Sequence, residues 1–115
     1  MNTTLRLSIL FLLFSFSISS GFAQSVAKTD TFKVYGNCDM CKENIEGSLK
    51  KRDGVMKKNW SPKTKLLVVT YDTEKINLLQ IKQKIAAVGY DTDEVHGDDI
   101  AYSKLHKCCQ YDRAK

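Results

Sequence analysis

Val34-Tyr35-Gly36-Asn37-Cys38-Asp39-Met40-Cys41-Lys42-Glu43-Asn44-Ile45 reads as the end of a β-strand, a tight turn bearing a Cys-x-x-Cys pair, and the first turn of a helix. Two thiols at such a junction lie close together, and the unpaired amides at the helix start favour thiolate over thiol. Chemistry of that kind either holds a soft metal ion or exchanges a disulfide. Upstream, Phe32 and Val34 alternate with Thr31, Lys33 and Tyr35, the pattern of a half-buried strand. Downstream, Cys41, Ile45 and Leu49 recur every four residues, which predicts an amphipathic helix with Asn37 or Asp39 as its cap. Lys50-Lys51-Arg52 suits the negative end of that helix, and Asp53-Gly54 stops it.

The remaining elements follow by pattern. Val55 to Trp60 and the β-branched run Leu66 to Tyr71 predict two strands of a hairpin, with Pro62 in the turn between them. Leu78, Ile81, Ile85 and Val88 mark a second amphipathic helix, opened by Asn77 and closed by Gly89. Tyr90 to His96 predicts a last, short strand. The order is β, α, β, β, α, β, and right-handed crossovers place both helices on one face. The expected fold is therefore α+β: a ferredoxin-like βαββαβ sandwich of a four-stranded antiparallel sheet with a C-terminal tail. That fold serves many functions, so function has to come from the site.

At the N-terminus, Arg6 precedes the apolar run Leu7 to Ile18, and small residues lead to Gly21-Phe22-Ala23 before Gln24. This is the layout of a secretory signal peptide over residues 1–23. The apolar run is shorter than the roughly 20 residues a membrane span needs, and no stable membrane insertion is expected after cleavage. Residues 24–30 are expected to be a flexible lead-in and residues 97–115 a cysteine-containing tail, with Tyr102, Leu105 and Tyr111 as the residues to pin it to the body. The chain carries a net charge of +5, with basic and acidic residues interspersed and no basic-and-aromatic interleaving, so nucleic acid is not an expected partner. An exported chain, periplasmic or extracellular, with 4 cysteines would ordinarily form disulfides. Here the cysteines form two tight local pairs, Cys38 with Cys41 and Cys108 with Cys109, and a disulfide framework usually spreads its cysteines further apart.

The motif Val34-Tyr35-Gly36-Asn37-Cys38-Asp39-Met40-Cys41, with Ile45, Leu49, Gly54-Val55, Val69-Thr70-Tyr71-Asp72, Ile81, Ile85 and Gly89-Tyr90-Asp91, resembles the heavy-metal-associated domain over residues 31–96. That family includes copper chaperones, modules of copper- and zinc-exporting ATPases, and exported mercury-binding proteins. The resemblance implies a ferredoxin-like fold that binds Cu(I), Hg(II), Zn(II) or Cd(II) through Cys38 and Cys41. It also implies transfer of the ion to a partner, such as a metal-transporting membrane protein, by thiolate exchange. Two positions depart from the family. Gly36 stands where a methionine usually packs beneath the loop, which leaves the loop either more mobile or packed by Met40 or Tyr90. The tail Lys104-Leu105-His106-Lys107-Cys108-Cys109 lies outside the common domain.

Thiolates select soft ions over Mg or Ca, and a pair alone suits Cu(I) first and Hg(II) next, whereas structural zinc takes four ligands. The main site residues are thus Cys38 and Cys41, with Cys108, Cys109 and His106 as possible additions from the tail. Met40 is a lesser thioether candidate; His96 is expected at the surface and Trp60 in sheet packing. No nucleophile–base pair or phosphate loop is present, so no enzyme activity is expected. The alternative is a thiol–disulfide oxidoreductase using Cys38 and Cys41, although the element order differs from thioredoxin and no Trp or Pro flanks the pair. A third reading is a structural disulfide with no cargo.

Overall fold

The computed structural model describes Gly21 and residues 26–115. The expected signal peptide therefore lies outside the described residues, apart from Gly21. The elements run β1 (Ala27–Lys33), α1 (Asp39–Gly47), a 3-10 turn (Lys51–Asp53), β2 (Val55–Trp60), β3 (Leu66–Asp72), α2 (Leu78–Ala87), α3 (Asp99–Ser103) and a second 3-10 turn (Lys107–Cys109).

Among the described residues the sheet has three antiparallel strands in the order β1-β3-β2. Alternation along β3 sends Leu67, Val69 and Tyr71 into the core and leaves Leu66 and Val68 exposed on the other face. Strand β2 cannot alternate in the same simple way, because Val55 and Trp60 are an odd number of residues apart and yet both are buried. A register shift between Val55 and Lys57 resolves this: one extra residue turns the later part of the strand over, so both side chains reach the same core. Ile45 and Leu49 from the α1 region and Ile81 and Ile85 from α2 complete the core. Asn77 caps α2 as expected, its Oδ1 accepting from Gln80 N (2.8 Å), and Gln80 Oε1 adds a reciprocal bond from Asn77 N (3.0 Å).

Two expectations need correction. Strand β1 begins at Ala27, so much of the expected lead-in is paired with β3, from Ala27 opposite Asp72 onward. Polar residues sustain it by cross-strand bonds: Thr29 Oγ1 lies 2.8 Å from Thr70 Oγ1, and the Tyr71 hydroxyl donates to Asp30 Oδ2 at 2.6 Å.

The expected fourth strand, Tyr90 to His96, reduces to a single bridge between Val34 and Thr92. Tyr35 N donates to Asp91 O and Asp93 N to Lys33 O, after which the chain turns. The turn is made by Thr92, whose hydroxyl accepts from the amides of Glu94 (3.3 Å) and Val95 (3.0 Å) and draws them out of the ladder. Asp93 and Glu94 then reach back to the ammonium of buried Lys82 on α2, at 3.0 and 3.2 Å.

Residues 97–115 pack on the domain through Tyr102, Leu105 and Tyr111, the residues expected to pin them. Tyr111 is buried, stacked on Tyr90 with ring centroids 5.4 Å apart and edge-on to Tyr102 at 5.1 Å. Its hydroxyl donates to Gly89 O (2.7 Å) and accepts from Asp91 N (2.8 Å). Gly89 itself has φ +100°, and a Cβ there would lie 2.7 Å from Tyr102 N. Only glycine serves both the backbone conformation and the close passage of the tail.

Candidate metal centre

The loop after β1 and the start of α1 bring Cys38 and Cys41 together. Neither Asn37 nor Asp39 caps α1; Cys38 occupies the N-cap position. Its sulfur makes no regular capping bond, but the amides of Cys41 and then Met40 face it and hold the thiol below the usual cysteine range, against the opposing effect of burial. Cys41 is fully buried and accepts from the Asn37 amide at 3.3 Å. The helix start thus favours anionic sulfur, as the spacing predicted.

The floor of this loop differs from either expectation. A Cβ on Gly36 would meet the Trp60 ring atoms Cη2 and Cζ2 at 3.0 Å and Cys41 Cβ at 3.3 Å. The Trp60 indole fills the space under the loop, held there by its Nε1 donating to Val34 O at 3.0 Å. Met40 is exposed and points instead to Cys108, with 3.7 Å between the two sulfurs. Gly36→Ala should therefore overpack the loop floor and cost about 1–3 kcal/mol. Urea unfolding checks this, and an unchanged midpoint would show that Trp60 is not held there.

The tail delivers its own thiols to the same place. Asn37 Nδ2 donates to Cys108 O (3.3 Å), and the Cys38 thiol also approaches that carbonyl at 3.6 Å. The Sγ atoms of Cys38, Cys108 and Cys109 all lie within 4.8 Å of one another, and Cys108 and Cys109 are 3.8 Å apart. Cys109 is fully buried beside Cys41; burial pushes its thiol up to about 12, reinforced by the neighbouring Cys41 and Cys108 sulfurs. All four cysteines are free. The buried Tyr90 hydroxyl lies among Cys41, Cys109 and Asn44, accepting from Asn44 Nδ2 at 3.0 Å. Burial first, and Cys41 after it, push the Tyr90 phenol far up, so it remains a donor.

His106 is not brought into the cluster. It stands before the second 3-10 turn and lines a groove with Asn44, Val88, Lys104 and Leu105. His96 is exposed, as expected, and bonds to Asp99 Oδ1 at 2.9 Å. The sequence reading missed Asp91 and Arg113. Asp91 is fully buried and accepts from Gly97 N (2.6 Å), Ala114 N (3.0 Å) and Arg113 Nη2 (2.7 Å). The signal was a carboxylate in an otherwise apolar Gly-Tyr-Asp run, but its partner lies 22 residues away.

Comparison with known proteins agrees with this geometry. The profile of the heavy-metal-associated domain matches residues 31–91. The chain is 39% identical over 88 residues to the mercuric transport protein periplasmic component of Shewanella putrefaciens, covering 76% of this chain and 91% of that protein. It is also 39% identical over 71 residues to a zinc-transporting ATPase of Synechocystis, covering 61% of this chain but only 10% of the ATPase. Among solved structures, the CopZ metallochaperone superposes with a TM-score of 0.54 at 30% identity, covering 56% of this chain and 98% of that one. Among the described residues no helix is long and apolar enough to cross a membrane. The thiol–disulfide alternative gains no support from these matches. Fold, paired thiols and profile agree: the chain belongs to the heavy-metal-associated domain family.

Proposed function

We propose that this chain is an exported heavy-metal-binding protein that captures a thiophilic ion on Cys38 and Cys41 and delivers or sequesters it. The observation that carries the reading is the placement of Cys38 at the N-cap of α1, where the Cys41 and Met40 amides favour its thiolate. Cu(I) is the ion that this pair serves unaided, because two soft thiolates satisfy it. Hg(II), Zn(II) and Cd(II) are the competing cargo, and relatives are named for mercury, zinc and copper handling. No catalytic residue is required: a partner's thiolates attack the bound ion and displace Cys38 and Cys41 one at a time. A metal-transporting membrane protein is the partner class that such an exchange suits. Export rests on the layout of residues 1–23 and on the likeness to a periplasmic relative.

The test is anaerobic loading of the fully reduced chain with Cu(I), Zn(II) and Hg(II) separately. Cys38→Ser/Cys41→Ser should lose stoichiometric uptake of every ion while keeping the far-UV spectrum of the parent. Uptake by that variant equal to the parent's would refute the reading.

A further inference from the structure

The two cysteines of the tail are unexplained by a site that ends at Cys41. They have not arrived by passive packing. The second 3-10 turn directs both sulfurs of adjacent residues toward the same point, and Asn37 ties the Cys108 carbonyl to the loop. Tyr111, two residues beyond Cys109, is locked by a stacked contact with Tyr90, a T-shaped contact with Tyr102 and both hydroxyl bonds. Cys38, Cys108 and Cys109 converge as a set of three, and Cys41 adjoins that set, neighbouring Cys38 on one side and Cys109 on the other.

The spacing has a chemical meaning. Thiolates bound to zinc at about 2.3 Å in a tetrahedron stand about 3.8 Å from one another. Cys108 and Cys109 are already 3.8 Å apart, and the Cys38, Cys108 and Cys109 sulfurs lie within 4.8 Å of each other. A tetrahedral set of four sulfurs suits a divalent d10 ion such as zinc, while Cu(I) and Hg(II) are content with fewer. Adjacent cysteines seldom form an unstrained bond with each other, and all four thiols here are free.

We propose that Cys108 and Cys109 bind the same ion as Cys38 and Cys41, so that the intact chain holds zinc or cadmium in a four-thiolate site closed by its own tail. This rests on the metal-binding reading of Cys38 and Cys41 and adds to it a cargo class and a cover. Four thiols binding one divalent cation release four protons to solvent and leave the site with a charge of −2. A partner gains access to the ion only by displacing the tail thiolates. The protein is then a sink that delivers on demand.

The experiment uses the full chain, expressed with its own N-terminal segment and fully reduced, loaded with Zn(II) or Cd(II) alone. X-ray absorption counts the sulfurs per ion, and chelator competition gives the affinity. Four sulfurs are expected in the parent and three in Cys108→Ser, whose exposed position spares the packing. Two are expected in Cys108→Ser/Cys109→Ser. Loss of outer-shell partners alone weakens metal sites by about 10–100-fold, so losing two direct ligands should cost more than about 100-fold. Two sulfurs per ion in the parent, with affinity unchanged in both tail variants, would overturn the tail's role while leaving Cys38 and Cys41 as the site. Failure of the parent to bind any soft ion would instead remove the underlying function.

Discussion

Tyr111→Ala will release the C-terminal tail and expose Cys109, without unfolding the sheet. The side chain is buried between Tyr90 and Tyr102, and its hydroxyl is both donor to Gly89 O and acceptor from Asp91 N. Truncating a buried aromatic ring costs about 3–5 kcal/mol. Here that loss falls on a short terminal segment, which can detach as a unit before the rest of the domain opens. Alkylation of Cys109 under native conditions reports the release, since that thiol is 0% exposed when the tail is docked. Modification should become at least about tenfold faster, while amides in β3 keep their exchange protection. Tyr111→Phe separates the two contributions: the ring still stacks, but the Gly89 carbonyl and the Asp91 amide lose their partner, for about 1–3 kcal/mol. Unchanged Cys109 reactivity in the alanine variant would show that the tail is held by something other than this ring.

Features written in local pattern were legible in the sequence. Leu66 to Tyr71 announced a strand by its β-branched, apolar composition, Asn77 announced a helix cap, and Cys38 and Cys41 their place at a helix start. Features that depend on pairing across the fold were not. Ala27 to Asp30 has no apolar alternation, yet it forms strand because β3 offers an unpaired edge and Thr70 and Tyr71 supply polar partners. Tyr90 to His96 looked like a strand because nothing local shows that the Thr92 hydroxyl will take two of its amides. Gly36 is legible as a departure from the family's methionine, but that Trp60 fills the space follows only once the shift after Val55 has turned the end of β2 inward. The tail thiols could be suspected and not placed, because their arrival depends on Tyr111 and Arg113 finding Tyr90 and Asp91.

Asp91 should make tail docking fail in acid, and the sign follows from its surroundings. Burial raises its pKa, but the Arg113 guanidinium, with the Gly97 and Ala114 amides, outweighs that and holds the carboxyl below the ordinary aspartate range. A carboxylate depressed in the folded state contributes stability that is complete above its unfolded pKa, about 3.9, and is lost as pH falls through the lower folded value. Docking should therefore be constant down to about pH 4 as far as this group is concerned, and weaken below it. Asp99 Oδ1 also accepts from Arg113 Nη1 at 2.7 Å, and His96 Nδ1 lies 3.4 Å from Asp91 Oδ1, so Asp99→Asn and His96→Asn are the controls that assign the acid limb to Asp91. The two ends of the pair differ in what their loss leaves behind. Asp91→Asn leaves Arg113, which is 20% exposed, stacked against Tyr102 and bonded to Asp99, and able to turn to water. Arg113→Met leaves a carboxylate that is 0% exposed with no counter-charge of comparable strength. Breaking a buried pair costs about 3–5 kcal/mol when the remaining charge cannot be rehydrated. The arginine substitution should sit at the top of that range and the aspartate substitution below it. Hydrogen exchange at Asp98 N and Tyr102 N, which bond to Ala86 O and Asp98 O, reads tail docking directly. Protection in both variants equal to the parent's across pH 3–7 would mean that the tail is held by its tyrosines alone and that the Asp91–Arg113 pair contributes nothing to docking it.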